Sequence, residues 1–352
     1  MAVLFMEGWD GRPPPTSVAE VIPAPTIPLA ANATNGREGG GSARHNYERP
    51  AAHNRGLKVE VNTSSPDLWI GVWFKWPNTH AVPDSHTRIV VIYIDGSPAL
   101  SFGFANSTST SDRYAFIESP PDLDDVPAAT PDHISESVDV PVTSGVHFIF
   151  HIERGETGGT ATVYVEGEPL LVADDIAGLA SGEGPVEHVL YNGRGTRTNT
   201  TNQQVDFDDL WIATENYGNA RIVLMVPEAD GHYADGTPSS GSDLFDMLDD
   251  VPPNDSTDVT LDVDERMSFV MDDSALAALA AMRLGAIQIE PRFEGPASVT
   301  AFARIDGTDY DLDGFTNPST DRATGRIISE ANPAATNLWG GSFDGIELGV
   351  RT

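Results

Sequence analysis

The sequence predicts an all-β protein: two β-sandwich (jelly-roll) domains in tandem, with a Pro/Gly-rich N-terminal arm and one or two short helices in the second domain. Three observations carry this. Short apolar runs arrive in close succession, separated by turn residues such as Asp95-Gly96 and Glu166-Gly167. Almost no segment shows helical periodicity over a useful length. The stretch Gln204 to Ala213 (QVDFDDLWIA) reads as a strand that closes one domain and hands the chain to the next. Within it Val205 and Phe207 alternate with Asp206 and Asp208, and after Asp209 the apolar parity moves by one residue to Leu210 and Ile212. Such a shift is what a β-bulge produces. The 352 residues suffice for two domains with their own cores, set at 1–215 and 216–352.

In chain order, Ala2 to Glu7 reads as the first strand. Residues 11–49 follow as an irregular arm, marked by Pro13-Pro14-Pro15, the PAPTIP run at Pro23 to Pro28, and Gly39-Gly40-Gly41. Its apolar residues are too many for a solvated linker, so it is expected to lie against its own domain or a neighbouring subunit. Leu57, Val59 and Val61 alternate with polar residues. Asp67 to Trp76 is apolar on both parities, as is Ile89 to Ile94, which ends at a tight turn. Ala99 to Ala105, Arg113 to Glu118, Ser135 to Val140, Val146 to Glu153, Ala161 to Val165 and Val186 to Tyr191 continue the strands. In the second domain, Arg221 to Val226, Val259 to Val263, Met267 to Met271, Ile287 to Ile289, Val299 to Ile305 and Gly345 to Val350 read as strands. Ser242 to Asp250 and the alanine-rich Ser274 to Met282 read as short helices.

The formal charge is −33, with 53 acidic against 20 basic residues. Only Lys58 and Lys75 are lysines. That sign excludes nucleic acid as a main partner. Acid excess with lysine depletion resembles the proteins of extreme halophiles, in which molar salt shortens the Debye length to about 3 Å and screens self-repulsion. There is no cysteine, hence no disulfide or thiolate metal site. The opening MAVLFMEGWDGR is not a secretory signal, and no apolar run is long enough to insert in a membrane. A route out of the cell would then be lysis or incorporation in a particle.

Asp309, Asp311 and Asp313, followed by Gly314, match positions 1, 3, 5 and 6 of a calcium loop. Position 12 holds Thr320 where a bidentate Glu is needed, so an acidic β-turn competes with a Ca2+ site. Asp122, Asp124 and Asp125, and Asp206, Asp208 and Asp209, read as solvated acidic faces. His147 and His151 share a strand face at about 13 Å, too far apart for one metal. Trp69, Trp73 and Trp76 could stack sugars, but Trp69 and Trp73 share parity in an apolar run and are expected in the core. N-x-S/T sequons begin at Asn32, Asn62, Asn106, Asn199 and Asn254.

The motifs LFMEGWD, GVHFIFHIERGETGGTATVYVEGEPL and FDDLWIA together resemble the concanavalin-like (laminin-G-like) jelly roll of tailed-virus structural proteins. RIVLMVPEADG, DMLDDVPPNDSTDVT and ISEANPAATNLWGGSFDGIELGVRT, in that order, are similar to the C-terminal half of the same virion proteins. The likeness covers most of the chain but not the proline-rich arm. It implies a virion surface protein (fibre, spike, turret or decoration) of a tailed virus; coupled to the salt-adapted composition, the expected host is a halophilic archaeon. Such a protein would be assembled in the host cytoplasm and displayed as a homo-oligomer. Its expected partners are other virion proteins of the capsid, portal vertex or tail, and a host-surface glycan or glycoprotein. No GxSxG, HExxH, P-loop or GxGxxG motif is present, and no strand carries the paired carboxylates of concanavalin-like glycosidases. The expectation is therefore of a protein that is not an enzyme. A carbohydrate-active enzyme or a secreted carbohydrate-binding module on the same fold is the alternative.

Overall fold

The structure is a computed structural model. It describes residues 3–7, 19–22, 30–32, 42–47, 56–75, 86–106, 113–121, 133–138, 145–191, 203–222, 225–248, 256–272, 274, 286–289, 292–295, 297–317, 323–324, 327–330, 332–334, 339 and 345–352. It is nearly all β, in antiparallel sheets, with no helix of seven or more residues among the described residues. The chain packs as two compact units, Met1–Ile222 and Val223–Thr352.

In the first unit, β1 (Val3–Glu7), β2 (Ala19–Ile22), β3 (Ala30–Asn32), β4 (Ser42–Tyr47) and β5 (Gly56–Thr63) come first. β6 (Asp67–Lys75), β7 (His86–Ile94), β8 (Ser97–Asn106), β9 (Arg113–Glu118) and β10 (His133–Val138) follow. β11 (Val146–Arg154), β12 (Gly159–Val165), β13 (Glu168–Ile176), β14 (Val186–Tyr191) and β15 (Gln203–Ala213) complete it. One sheet runs β13-β12-β11-β6-β15-β4-β3, with β1 also on β15; the other runs β10-β9-β8-β7-β14-β5-β2. Three segments within residues 11–49 are strands: β2 lies on the edge of one sheet, and β4 is paired on both sides, with β15 and with the edge strand β3.

Alternation fills the space between these sheets. Leu68, Ile70, Val72 and Phe74 of β6 and Val146, Phe148, Phe150 and Ile152 of β11 meet Leu100, Phe102 and Phe104 of β8. Phe104 lies 4.5 Å from Phe148, and Phe102 4.8 Å from Phe150, ring centre to ring centre. Aromatic pairs at such distances add to the burial of apolar area that holds two sheets together.

The bulge expected at Asp209 is present. Asp209 has φ +47°, and the β15–β6 register shifts between Asp208 and Trp211. The two halves of β15 then serve different neighbours on one side: Gln203 to Phe207 pair with β4, and Leu210 to Ala213 pair with β1. The Asp95-Gly96 and Glu166-Gly167 turns also have positive φ at both residues, which suits two-residue hairpins.

The second unit contains β16 (Pro227–Ala234), β17 (Thr237–Pro238), β18 (Val259–Thr260), β19 (Arg266–Met271), β20 (Ile287–Ile289) and β21 (Arg292–Phe293). β22 (Ala297–Ile305), β23 (Thr308–Asn317), β24 (Ala323–Thr324), β25 (Ile327–Ser329) and β26 (Ile346–Arg351) follow. A five-stranded sheet, β16-β19-β26-β22-β23, carries a small core of Ala303, Ile305, Leu348, Ile287 and Trp339 on one face. The β20–β25 ladder supplies Ile287, so the core lies between two layers.

Several elements differ from expectation. The strand expected at Arg221 to Val226 begins later, at Pro227, and uses the polar PEADGHYA on the edge of the sheet. An edge strand needs only one ladder partner, which hydrophobic periodicity cannot reveal. Ser242 to Asp250 yields one 3-10 turn, Phe245–Met247. Its entry is capped by Asp230 from β16, whose carboxylate accepts the Leu244 and Phe245 N–H groups at 3.1 and 2.8 Å. Of Val259 to Val263 only Val259–Thr260 is strand, and Val263 is 84% exposed. Ser274 to Met282 lies outside the described residues apart from Ser274.

Candidate functional site

Asp309, Asp311 and Asp313 all lie on strand β23, paired with β22. They are strung along a strand and do not wrap a point. Asp309 accepts hydrogen bonds from Arg304 at 2.6 Å, Arg266 at 3.1 Å and the Tyr233 hydroxyl at 2.6 Å. Arg351 pairs with Asp311 at 2.5 Å, and Asp313 accepts the Gly314 N–H at 2.7 Å. Asp309 is thus engaged by two guanidiniums and a hydroxyl. Among the described residues no group of three or more metal-binding side chains is gathered.

This cluster has a pH consequence. Burial of the Asp309 carboxyl favours its neutral form, but the Tyr233 hydroxyl and the Arg304 and Arg266 guanidiniums outweigh that and hold it below the usual carboxylate range. A depressed folded-state value stabilises above the unfolded value of 3.8 and is lost as pH falls through the folded value. Acid titration of denaturant stability should show a loss of at most about 1 kcal/mol in that window, given solvent screening. Asp309→Asn should abolish that step. An unchanged acid profile in the variant would contradict the assignment.

A different face gathers chemistry. On the side of the β13–β12–β11–β6–β15 sheet opposite the inter-sheet core, the registers align residues in rows. Thr162, His151, Trp69 and Ala213 form one row; Tyr164, Ile149, Gly71 and Trp211 form the next. Ile149, Trp211 and Ala213 are buried at its centre, with Trp69, Tyr164, Tyr217, Ala220, Val3 and Met6 half-buried around them. The Trp69 ring stacks on the His151 imidazole at 3.7 Å and 12°, and Tyr164 lies 5.7 Å from Trp69. The His151 Nε2 is 3.0 Å from Asp67 Oδ1, so the carboxylate fixes the ring's orientation.

The face is held by the segment after β15. Asp209 Oδ1 accepts the Ile222 N–H at 2.8 Å, and the Asn219 amide donates to Glu166 Oε2 at 3.0 Å. Glu166 Oε1 accepts the His147 N–H at 2.8 Å. Tyr217 stands edge-on to Trp211 at 5.9 Å. The bulge at Asp209 therefore does more than flip parity, because it frees a carboxylate to tie down the segment that frames the aromatic surface.

The expected residues divide accordingly. Trp69 is on this outer face, not in the inter-sheet core. Trp73 is buried at 4% exposure and its indole crosses Gly145, while Trp76 lies outside the described residues. His147 is fully buried, whereas His151 keeps some exposure beside Asp67. Asp206, Asp208 and Asp209 are buried, not solvated. Asp122, Asp124 and Asp125 lie outside the described residues. Tyr164 and Tyr217 were not singled out in the sequence; the signal for Tyr164 was its place opposite an apolar parity on β12, one strand from His151.

At one end of the same unit a cleft of about 470 Å³ is lined by Ile94, Pro98, Ser119, Asp174, Asp175 and Glu183 among others. It holds carboxylates but no histidine or aromatic ring among its lining residues.

No family model and no curated protein matches this chain. Among solved structures, the alginate lyase Aly36B matches with TM-score 0.40 and 11% identity, over 62% of this chain and 98% of that one. The cellulose induced protein Cip1 matches with TM-score 0.38 and 14% identity, over 59% and 91%. The CBM2 module of the Lactobacillus casei BL23 phage J-1 evolved Dit matches with TM-score 0.35 and 9% identity, over 63% and 97%. By their names they are an alginate lyase, a cellulose induced protein and a CBM2 module of a phage protein. The expectation that the chain is not an enzyme is corrected here: alginate lyases stand among its structural matches, and that exclusion is withdrawn.

Proposed function

We propose that the first unit is a carbohydrate-active β-sandwich that engages a glycan chain on its outer aromatic face. One observation carries the reading: Trp69, Tyr164 and Tyr217 are half-buried around a rigid apolar centre, with the oriented His151–Asp67 pair in their midst. Aromatic rings give the apolar faces of sugars a platform, and adjacent polar groups fix orientation. An imidazole held by a carboxylate is an arrangement suited to proton transfer. In this reading His151 is the acid–base candidate, Asp67 positions it, and Trp69 binds.

The test is titration of the whole chain with a panel of oligosaccharides, alongside an assay for new reducing or unsaturated ends. Trp69→Ala should weaken binding by at least tenfold. His151→Ala should remove turnover, where there is turnover, while retaining most binding. Equal binding by Trp69→Ala and wild type would overturn the reading.

Display of the protein in many copies on a virus particle is the second reading. The order of motifs across both halves and the acid-rich, lysine-poor composition support it. A glycan-contacting face repeated over symmetric copies would then serve host attachment through avidity.

A further inference from the structure

We propose that the aromatic face selects uncharged or amino-bearing glycans and rejects polyuronates and sulfated chains; this rests on the glycan reading above. The row of residues beside His151 and Trp69 decides it. Register places Asp67 opposite Glu153 and Glu153 opposite Thr160. The Thr160 hydroxyl donates to Asp174 Oδ1 at 3.0 Å, which extends the row to β13. Three carboxylates thus cross four adjacent strands in one line. Glu153 and Asp174 are exposed, and the Asp67 side chain is 44% exposed. Neighbouring strands are spaced by about 5 Å, so a sugar resting against Trp69 lies within one or two residue spacings of this line.

Of the three, Asp67 already contacts the His151 imidazole at 3.0 Å. Among the described outward-facing residues of β6, β11 and β12, Lys75 is the one lysine or arginine, at the far end of β6 from Asp67. Arg154 follows Glu153 but points to the other side. It is buried, with Nη2 donating to the Ala180 carbonyl at 2.8 Å. A chain carrying one carboxylate per sugar would meet two or three like charges at about 7 Å. At that range each repulsion amounts to several-fold in affinity in a partly solvated setting. Uncharged sugars escape it, and an ammonium on an amino sugar would gain from it.

The measurement compares uncharged hexaoses and a glucosamine hexamer with oligouronate hexamers of equal length, using the full chain in 0.2 and 2 M NaCl. The expected result is at least tenfold weaker binding of uronates in 0.2 M salt. The gap should shrink to about threefold in 2 M salt, where screening acts over about 2–3 Å. In the Glu153→Gln/Asp174→Asn variant the ratio at 0.2 M should fall toward its high-salt value. Folding of each sample is verified by near-ultraviolet circular dichroism. Uronates bound as tightly as uncharged chains, or a ratio indifferent to both salt and the double variant, would overturn the inference. If Trp69→Ala still abolishes binding in that case, the glycan face stands and only its selectivity falls. If no chain in the panel binds, both fall.

Discussion

Replacing Arg88 by methionine should destabilise the first unit by about 3–5 kcal/mol. Arg88 is fully buried on β7, on the side of its sheet away from the phenylalanine core. Its Nε donates to Glu118 Oε2 at 2.7 Å, and the Ser101 hydroxyl donates to the same oxygen at 2.9 Å. Glu118 itself is 4% exposed. Without the guanidinium, the carboxylate keeps one neutral donor and no counter-charge, so it must stay ionised in a poor solvent or take up a proton. Among the described residues the two Nη nitrogens have no hydrogen-bond partner. The second arm follows. Arg88→Met combined with Glu118→Leu should recover most of the loss, because both charges leave together. Denaturant unfolding followed by tryptophan fluorescence reports this unit, since Trp339 is the second unit's tryptophan and the other five precede it. A loss below about 1 kcal/mol for the single variant would show that water reaches Glu118.

Gly71→Ala should cost about 3 kcal/mol and alter the aromatic face with it. A Cβ on Gly71 would stand 2.0 Å from Cε2 and 2.1 Å from Nε1 of Trp211. The indole is 3% exposed and packed against Ile149 and Ala213, so it cannot swing clear without opening the cluster. Overpacking of a filled site commonly costs 1–3 kcal/mol, and a rigid ring in contact leaves few ways to relax. The expected result is a lower unfolding midpoint, a red-shifted Trp emission and weaker glycan binding. Gly71→Ala with Trp211→Phe should regain part of the stability. Wild-type stability and emission in the single variant would mean that Trp211 does not cross β6 as described.

How far the sequence reached depended on whether a feature was local. The bulge at Asp209 was legible because a parity change in Val205, Phe207, Leu210 and Ile212 has one cheap structural solution. The Asp95-Gly96 and Glu166-Gly167 turns were legible for the same reason. The DYDLDGF strand was not. Calcium ligands at positions 1, 3 and 5 have the same period of two as a strand with Tyr310 and Leu312 turned to the core, and both residues pack there. Trp69 was misplaced because an apolar run on both parities says only that both faces of β6 are covered, not by what. Its contact with His151 depends on the β11–β6 register, which couples residues 82 positions apart (151 − 69) and leaves no local trace. The arm was read as irregular from its prolines and glycines, yet strands of three to six residues fit between them.

The outer aromatic face is tested most directly by locating a bound sugar. Crystals or NMR samples of the chain with the best-binding oligosaccharide should place a sugar ring against Trp69, with contacts to Tyr164 and a hydroxyl near His151. A sugar seated instead in the cleft lined by Ser119, Asp175 and Glu183, with Trp69 and His151 unperturbed, would contradict the account.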